Sequence, residues 1–542
     1  MNIIWRVWLG LTLDLMLLAS TSAAAPPTVN SLYPAGVQRG QTVEVTVAGT
    51  FDTWPPQVWC DRKDVEIKPG KEKGKLTVTA APEAVPGVCW LRLYDDQGAS
   101  PLRPLLVGSL PEILEQEPND DFKKPQTLTA ASVTINGRLE KAGDVDCFAV
   151  VLRKGQTLVA SLEANRTLGS PMDAVVQVLS ADGFVQQENH DYHGLDPLVA
   201  FTAPKDSTYI VRVFAFPAMP DSSVRFAGGE LYIYRLTLTT GAFADRIFPL
   251  AVSAAEGGAV ELHGWNIPDA AKARAVEKGE PGSDTVVFHP EVTNALAVRL
   301  EPHPVIVQSL TNSRKEPQTI TLPATVSGRL ETRDAVHAYQ FEAKKGQQWR
   351  FEAEARALGF PLDPVLRLLD GSGKQLAQAE SARDGRDPEL AFTVPQDGVY
   401  RLEVRDLHFA GSPRHLYRVR AVAGRPDFEL TLTTDRFTLT PGKPLDVPVT
   451  IQRRQGFKEE IELTVEGLPA GVTVATVQTG PAANAKTVTL RLTAEAMPIS
   501  TAVRVSGKAA GKPETARPVQ ATIAGLTATT PHVWLTVPSP AK

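Results

Sequence analysis

Nine histidines, three cysteines and 61 acidic residues are the groups in this 542-residue chain that could bind a metal or act on a substrate. The histidines (His190, His193, His263, His289, His303, His337, His408, His415 and His532) fall one per segment after the first two. No His-Glu-x-x-His run occurs to place two imidazoles on one helical face, and no Gly-x-Ser-x-Gly elbow to present a nucleophile. His190 and His193, with Asp191 between them, have a spacing that suits Zn²⁺ or Cu²⁺, but on a loop a surface role is the expectation. AspGlySerGlyLys at 370 to 374 lacks the earlier glycine and following helix of a phosphate loop, so it reads as a hairpin turn. The densest oxygen donors are Glu115, Glu117, Asn119, Asp120 and Asp121, followed by Asp144 and Asp146. Such a set can hold a hard cation, or it can be a solvated acidic linker with a turn at Asn119 and Asp120; the residues alone leave both open.

The elements that must position these groups are strands. ThrValGluValThrVal at 42 to 47, LeuThrValThrAla at 76 to 80, TyrIleValArgVal at 209 to 213 and LeuTyrIleTyrArgLeuThrLeu at 231 to 238 alternate with period two. β-Branched residues and closely spaced Gly, Pro and Asp turns predict an all-β chain of tandem antiparallel β-sandwich domains, jelly-roll or immunoglobulin-like. The best helical stretch is short, at 270 to 278.

A repeat organises the middle of the chain. GlyArgLeuGlu at 137 to 140, running through AspValAspCysPhe to LysGlyGln at 154 to 156, recurs 191 residues later as GlyArgLeuGlu at 328 to 331 and LysGlyGln at 345 to 347. LeuGlySerProMetAsp at 168 to 173 matches LeuGlyPheProLeuAsp at 358 to 363, AspPro at 196 matches AspPro at 387, and Tyr209 matches Tyr400. Agreement over about 100 residues means two copies of one domain. The chain then divides into a leader at 1–25, an immunoglobulin-like domain at 26–110, copy one at 111–240, a small β domain at 241–305, copy two at 306–424 and a terminal sandwich at 425–542. Little length remains for a separate catalytic fold.

GluGlnGluProAsnAspAsp at 115 to 121, AspValAspCysPhe, the LysGly turn and the closing TyrIleValArgVal together resemble the bacterial pre-peptidase C-terminal (PPC) domain. AspGlyValTyr at 397 to 400 fits the closing motif of that family better than the AspSerThrTyr of copy one. The opening segment 26–110 resembles an IPT/TIG immunoglobulin-like domain. The resemblance implies a jelly-roll-like sandwich that accompanies secreted enzymes, commonly peptidases, as an accessory. It is similar to collagenase collagen-binding domains whose N-terminal segment binds Ca²⁺, and so implies Ca²⁺ in copy one at Glu115, Glu117, Asn119, Asp144 and Asp146, with Asp120 offering a further oxygen. Lined up on GluPro at 316 and 317, copy two has Gln318 and Thr319 for Asn119 and Asp120, and Ala335 and His337 for Asp144 and Asp146. It is expected to bind no calcium.

Arg6, an apolar run from Val7 to Ala19 with Asp14 inside it, and a small-residue tail before Pro26 read as a secretory signal cut after Ala24. No other apolar run is long enough to span a membrane, so a secreted or periplasmic protein is expected. In an oxidising compartment Cys60 and Cys89, each beside a tryptophan, are expected to form a disulfide, leaving Cys147 as a buried core residue. A net charge of −5 gives no basic field for nucleic acid. Trp54, Tyr192, Phe214, Phe216 and Phe409 are aromatic candidates for ligand stacking, although such residues more often cap a core. The resulting expectation is a non-catalytic binding or adhesion protein for extracellular protein or polysaccharide. The alternative is an accessory subunit of a separately encoded secreted peptidase or other hydrolase.

Overall fold

A computed structural model describes residues 25–219, 225–382, 385–477 and 485–539, so the secretory signal expected before the cut after Ala24 lies outside the described residues. The chain is all-β, as its alternating pattern predicts. Ser31–Gly108 forms two four-stranded sheets, and residues 243 to 301 form two three-stranded sheets. From residue 427 onward the strands join in one hydrogen-bonded network, with Ile461–Glu466 and Thr529–Thr530 branching off its main path, around a core that includes Phe428, Val449, Leu490 and Leu535. Of the helical stretch expected at 270 to 278, only one turn forms, Asp269–Lys272. Ala273–Val276 is instead a strand paired with Gly258–Trp265, because alternation there buries Val276 and lets tertiary pairing override alanine's helix preference.

The two copies share one topology. In copy one, the strands Gln126–Thr127, Asp146–Leu152, Ser207–Pro217, Met172–Ser180 and Val185–Asn189 neighbour one another in that order. The facing sheet runs Leu198–Thr202, Thr157–Glu163, Ile233–Thr239, Val133–Arg138 and Glu112–Leu114. Copy two repeats both orders. Phe148, Val150, Tyr209 and Tyr234 fill the first core where Tyr339, Phe341, Tyr400 and Tyr417 fill the second.

The repeated motifs are the residues this scaffold needs. Gln156 and Gln347 each accept the backbone N–H that opens their LysGly turn, at 2.8 Å in both copies. Asp206 and Asp397 accept the next N–H, from Lys154 and Lys345, at 2.7 Å. The Tyr209 and Tyr400 hydroxyls donate to the carbonyls of Lys205 and Gln396, closing the turn before their strand. Asp196 and Asp387 accept the first N–H groups of the short helical turns near 165 and 356, which have no intrahelical partner. Gly137 and Gly328 leave room for the rings of Tyr234 and Tyr417, which any Cβ there would overlap.

The domains also touch out of sequence. Arg414 of copy two lies over the Tyr192 ring of copy one, 3.5 Å from its centroid, and donates to the Tyr192 carbonyl. Arg92 of the first domain forms a 2.6 Å ion pair with Asp435 of the last, both side chains at most 1% exposed.

Candidate cation site in copy one

The strand Asp146–Leu152 begins at Asp146, with Asp144 two residues earlier in the preceding turn, so both carboxylates leave the same side of the chain. The segment 115 to 121 crosses in front of them, tied to the strand by the Cys147 N–H donating to the Asn119 carbonyl. Glu117, Asp120 and Asp144 bring oxygens within 4.8 Å of one another. Behind them, the Tyr234 hydroxyl joins Asp146 at 2.5 Å and Glu115 at 3.2 Å, and Glu115 also accepts the Arg138 N–H at 2.7 Å. Five of the six expected residues therefore form a front group of Glu117, Asp120 and Asp144, and a rear group of Glu115 and Asp146 anchored on Tyr234, with Asn119 on the 115–121 segment. Asn119 is 1% exposed. Both oxygens of Glu115 are engaged by the protein, which makes it an orienting member of the set.

Glu117 and Asp120 are exposed, whereas Asn119, Asp144 and Asp146 are buried. The side-chain oxygen and nitrogen of Asn119, one oxygen of Asp144 and one of Asp146 are buried without a hydrogen-bond partner. Orphaned buried polar atoms cost about 1–3 kcal/mol each, and a buried carboxylate more. Burial pushes the Glu115 carboxyl up to about 7, against the opposing hydrogen bond from Arg138. Burial, with Asp120 adding to it, lifts Asp144 to about 6. Asp146 is pushed higher still, by burial first and Glu115 second. Three partnerless oxygens beside two further carboxylates suit a hard divalent cation with six to eight oxygen ligands. The residues present fit Ca²⁺: Glu117, Asn119, Asp120, Asp144 and Asp146 would hold it, and Glu115 with Tyr234 would orient them. The ion would supply charge neutralisation that fixes the 115–121 segment on the sandwich.

Tyr234 was not among the candidates, because its role depends on a strand about 90 residues away in sequence. The glycine in GlyArgLeu was the available signal, since it repeats wherever that tyrosine must fit.

Copy two corrects the register assumed for this corner. Gln126 and Gln318 make the same pair of bonds, donating to the carbonyls of Leu114 and Val307 and accepting from Gln116 and Ser309. Glu316 and Pro317 thus match Lys124 and Pro125, and the repeated ProGlnThr is the proper anchor. Gln308 accepts the Arg329 N–H as Glu115 accepts that of Arg138, which aligns Leu310 with Glu117, Asn312 with Asn119 and Ser313 with Asp120. Asn312 is satisfied, accepting the Ala338 N–H at 2.7 Å. His337 takes the place of Asp146, and its Nδ1 pairs with the Tyr417 hydroxyl at 2.7 Å, while Tyr339 meets the same hydroxyl at 2.6 Å. Burial lowers His337 to about 4, so the cluster is neutral. In front of it lies a groove of about 640 Å³ that passes Leu310, Arg314 and Ala335 to Phe248 of the bridging domain.

Among the described residues the histidine, hairpin-turn and aromatic candidates do not assemble into a site, whereas Cys60 and Cys89 do come together. His190 is exposed near Glu188, while His193 packs edge-on against Tyr192 at the junction of the copies. Asp370 accepts from the N–H groups of Ser372 and Lys374, completing a hairpin turn. Trp54 donates to the Gly70 carbonyl, Tyr192 is covered by Arg414 and Phe214 is buried; Phe216 and Phe409 are 36% and 42% exposed. Cys60 and Cys89 are free thiols with sulfurs 3.1 Å apart, and Cys147 is fully buried beneath the 119–122 segment. Among the described residues no helix is long and apolar enough to cross a membrane.

These paired sandwiches define one class of β-domain, present twice. The sequence matches the bacterial pre-peptidase C-terminal domain at residues 144–215 and again at 335–406, so the chain carries two PPC domains. A probable subtilase-type serine protease of Deinococcus radiodurans is 30% identical over 238 residues, 43% of this chain. The chain spans about a quarter, 26%, of that relative's length. Among solved structures, the PPC domain of a Bacillus anthracis collagenase is similar at 18% identity, covering 20% of this chain and 94% of that one, with a TM-score of 0.17. Fibronectin(III)-like modules of Clostridium thermocellum are similar at 11% identity, covering 43% of this chain and 93% of theirs, with a TM-score of 0.14.

Proposed function

We propose that this protein is a secreted, non-catalytic binding protein whose PPC sandwiches engage extracellular protein or polysaccharide, with Ca²⁺ held by copy one. The observation that carries the reading is the contrast at one corner of a repeated scaffold. Copy one gathers buried, partnerless oxygens where copy two has a satisfied neutral cluster. The repeated polar residues serve turns and caps. Ca²⁺ stiffens the first sandwich, and the faces of five packed domains present the ligand surface. Isothermal titration of Ca²⁺ into the full chain tests the cation, and pull-down from the secreted fraction of the source tests the partner. Zymography on casein, gelatin and common polysaccharides tests the absence of catalysis; hydrolysis by the purified chain would reject the reading. A second reading, an accessory subunit of a separately encoded secreted hydrolase, is favoured by the similarity to a subtilase-type protease. Recovery of one peptidase in stoichiometric amount would select it.

A further inference from the structure

We propose that Cys60 and Cys89 are joined after export by a disulfide that pins the edge strand through which the first domain holds the last. The strand Gln57–Cys60 has four residues, lies at the edge of its sheet and pairs only with Gly87–Tyr94. Trp59 and Arg92 are ladder partners on these two strands, and both reach the last domain. The Trp59 ring lies 5.4 Å from that of His532, and the Arg92 guanidinium sits 5.9 Å from Trp59 and 5.1 Å from Trp534 while pairing with Asp435. One residue along, on the opposite face, Cys60 is the ladder partner of Leu91 and lies diagonally from Cys89. Their sulfurs are already 3.1 Å apart, and closing to a bond of about 2 Å moves them about 1 Å. A short edge strand held by one neighbour is free to fray, and a covalent link to that neighbour removes this freedom.

The two sulfurs have different roles in forming the bond. Cys60 is half-buried, its sulfur accepts the Arg62 N–H, and the hydrogen bond from Cys89 holds its thiol below the usual range. Cys89 is fully buried. The Cys60 thiolate attacks a disulfide donor of the oxidising compartment, forming a mixed disulfide and releasing one donor thiol. Cys89, losing its proton, then attacks the Cys60 sulfur and expels the second donor thiol. Two electrons and two protons pass to the donor, and one S–S bond forms in the protein. Asp61 lies beside both sulfurs, so a bound soft cation is the competing outcome.

The test uses the full chain exported through an oxidising compartment, unfolded in iodoacetamide without reductant. The expected result is alkylation of Cys147 alone, with a cross-linked peptide containing Cys60 and Cys89. Alkylation of all three cysteines, with or without a co-purifying metal, overturns the proposal. Hydrogen–deuterium exchange then reads the coupling. Reduction of the native protein should speed exchange on the order of tenfold at both 57–60 and 532–537. Cys60→Ala/Cys89→Ala should reproduce this and Cys147→Ala should not. A disulfide whose reduction leaves 532–537 unchanged overturns its role in holding the last domain, and the reduction arm stands even where the double variant folds poorly.

Discussion

Copy one and copy two agree down to single hydrogen bonds across most of their length and part at one corner. Both use Gln, Asp and Tyr at matched places to close the same turns, and both spare a glycine for the same tyrosine. Their charges differ: residues 111–240 carry 17 acidic against 11 basic groups, whereas 306–424 carry 15 against 17. The difference teaches how to sort residues in a repeated domain. What recurs is scaffold, and what changes while the scaffold stays fixed marks a site gained or lost. At that corner Tyr234 receives two carboxylates and Tyr417 receives an imidazole and a phenol. The first arrangement leaves buried carboxylate oxygens without a partner, and the second is satisfied within the protein.

The largest effect expected from breaking this contrast is in copy one. Asp144→Ala removes a ligand common to the front group, and titration of the full chain should lose its Ca²⁺ heat altogether. Tyr234→Phe leaves the ligands but frees Glu115 and Asp146, and should weaken Ca²⁺ on the order of tenfold, as outer groups around a metal do. In copy two, His337→Asp buries an uncompensated carboxylate beside Tyr417 and should cost about 3 kcal/mol in denaturant unfolding, without creating a Ca²⁺ site. Gly137→Ala and Gly328→Ala press a methyl into Tyr234 and Tyr417, and each should cost about 1–3 kcal/mol, comparably in the two copies, because this feature is scaffold. His190→Ala should shift stability by less than about 0.5 kcal/mol, as an exposed loop substitution does.

The pH dependence follows the same division. Glu115 and Asp144 have folded-state values of about 7 and about 6, both above ordinary carboxylates near 4. A raised carboxyl contributes stability that is full below about pH 4 and declines as pH rises through the folded values. The cation-free chain should therefore lose stability between pH 4 and about 7, and added Ca²⁺ should restore it at neutral pH. Binding must expel these protons, so Ca²⁺ affinity measured calorimetrically should rise over the same interval. His337, lowered to about 4, gives copy two the opposite sense: its neutral form is favoured, and stability is lost as pH falls through 6 toward 4.

Much of the scaffold was legible because strand alternation and turn chemistry are local. Period two named the sheets, and the 191-residue offset named the two copies before any pairing was known. The oxygen donors were legible too, since they cluster within 115–121 and 144–146. The burial of Asn119, Asp144 and Asp146 was not, because it depends on the 115–121 segment folding over a strand that starts 25 residues later. Tyr234 enters only through a strand pairing with Val133–Arg138, which no spacing reveals. Lining up copy two on GluPro misled for a related reason: a two-residue identity outweighed the ProGlnThr that the hydrogen bonds preserve. The one-turn helix at Asp269–Lys272 shows the same limit, with tertiary pairing claiming alanines that alone favour helix.

The central claim, that one copy has a cation site and the other has closed it, is tested most directly by native mass spectrometry of the full chain in micromolar Ca²⁺. The account predicts one bound Ca²⁺ in the wild type, none in Asp144→Ala, and one in Tyr417→Phe, which alters only copy two. Two bound ions in the wild type, or one ion retained in Asp144→Ala, would contradict it.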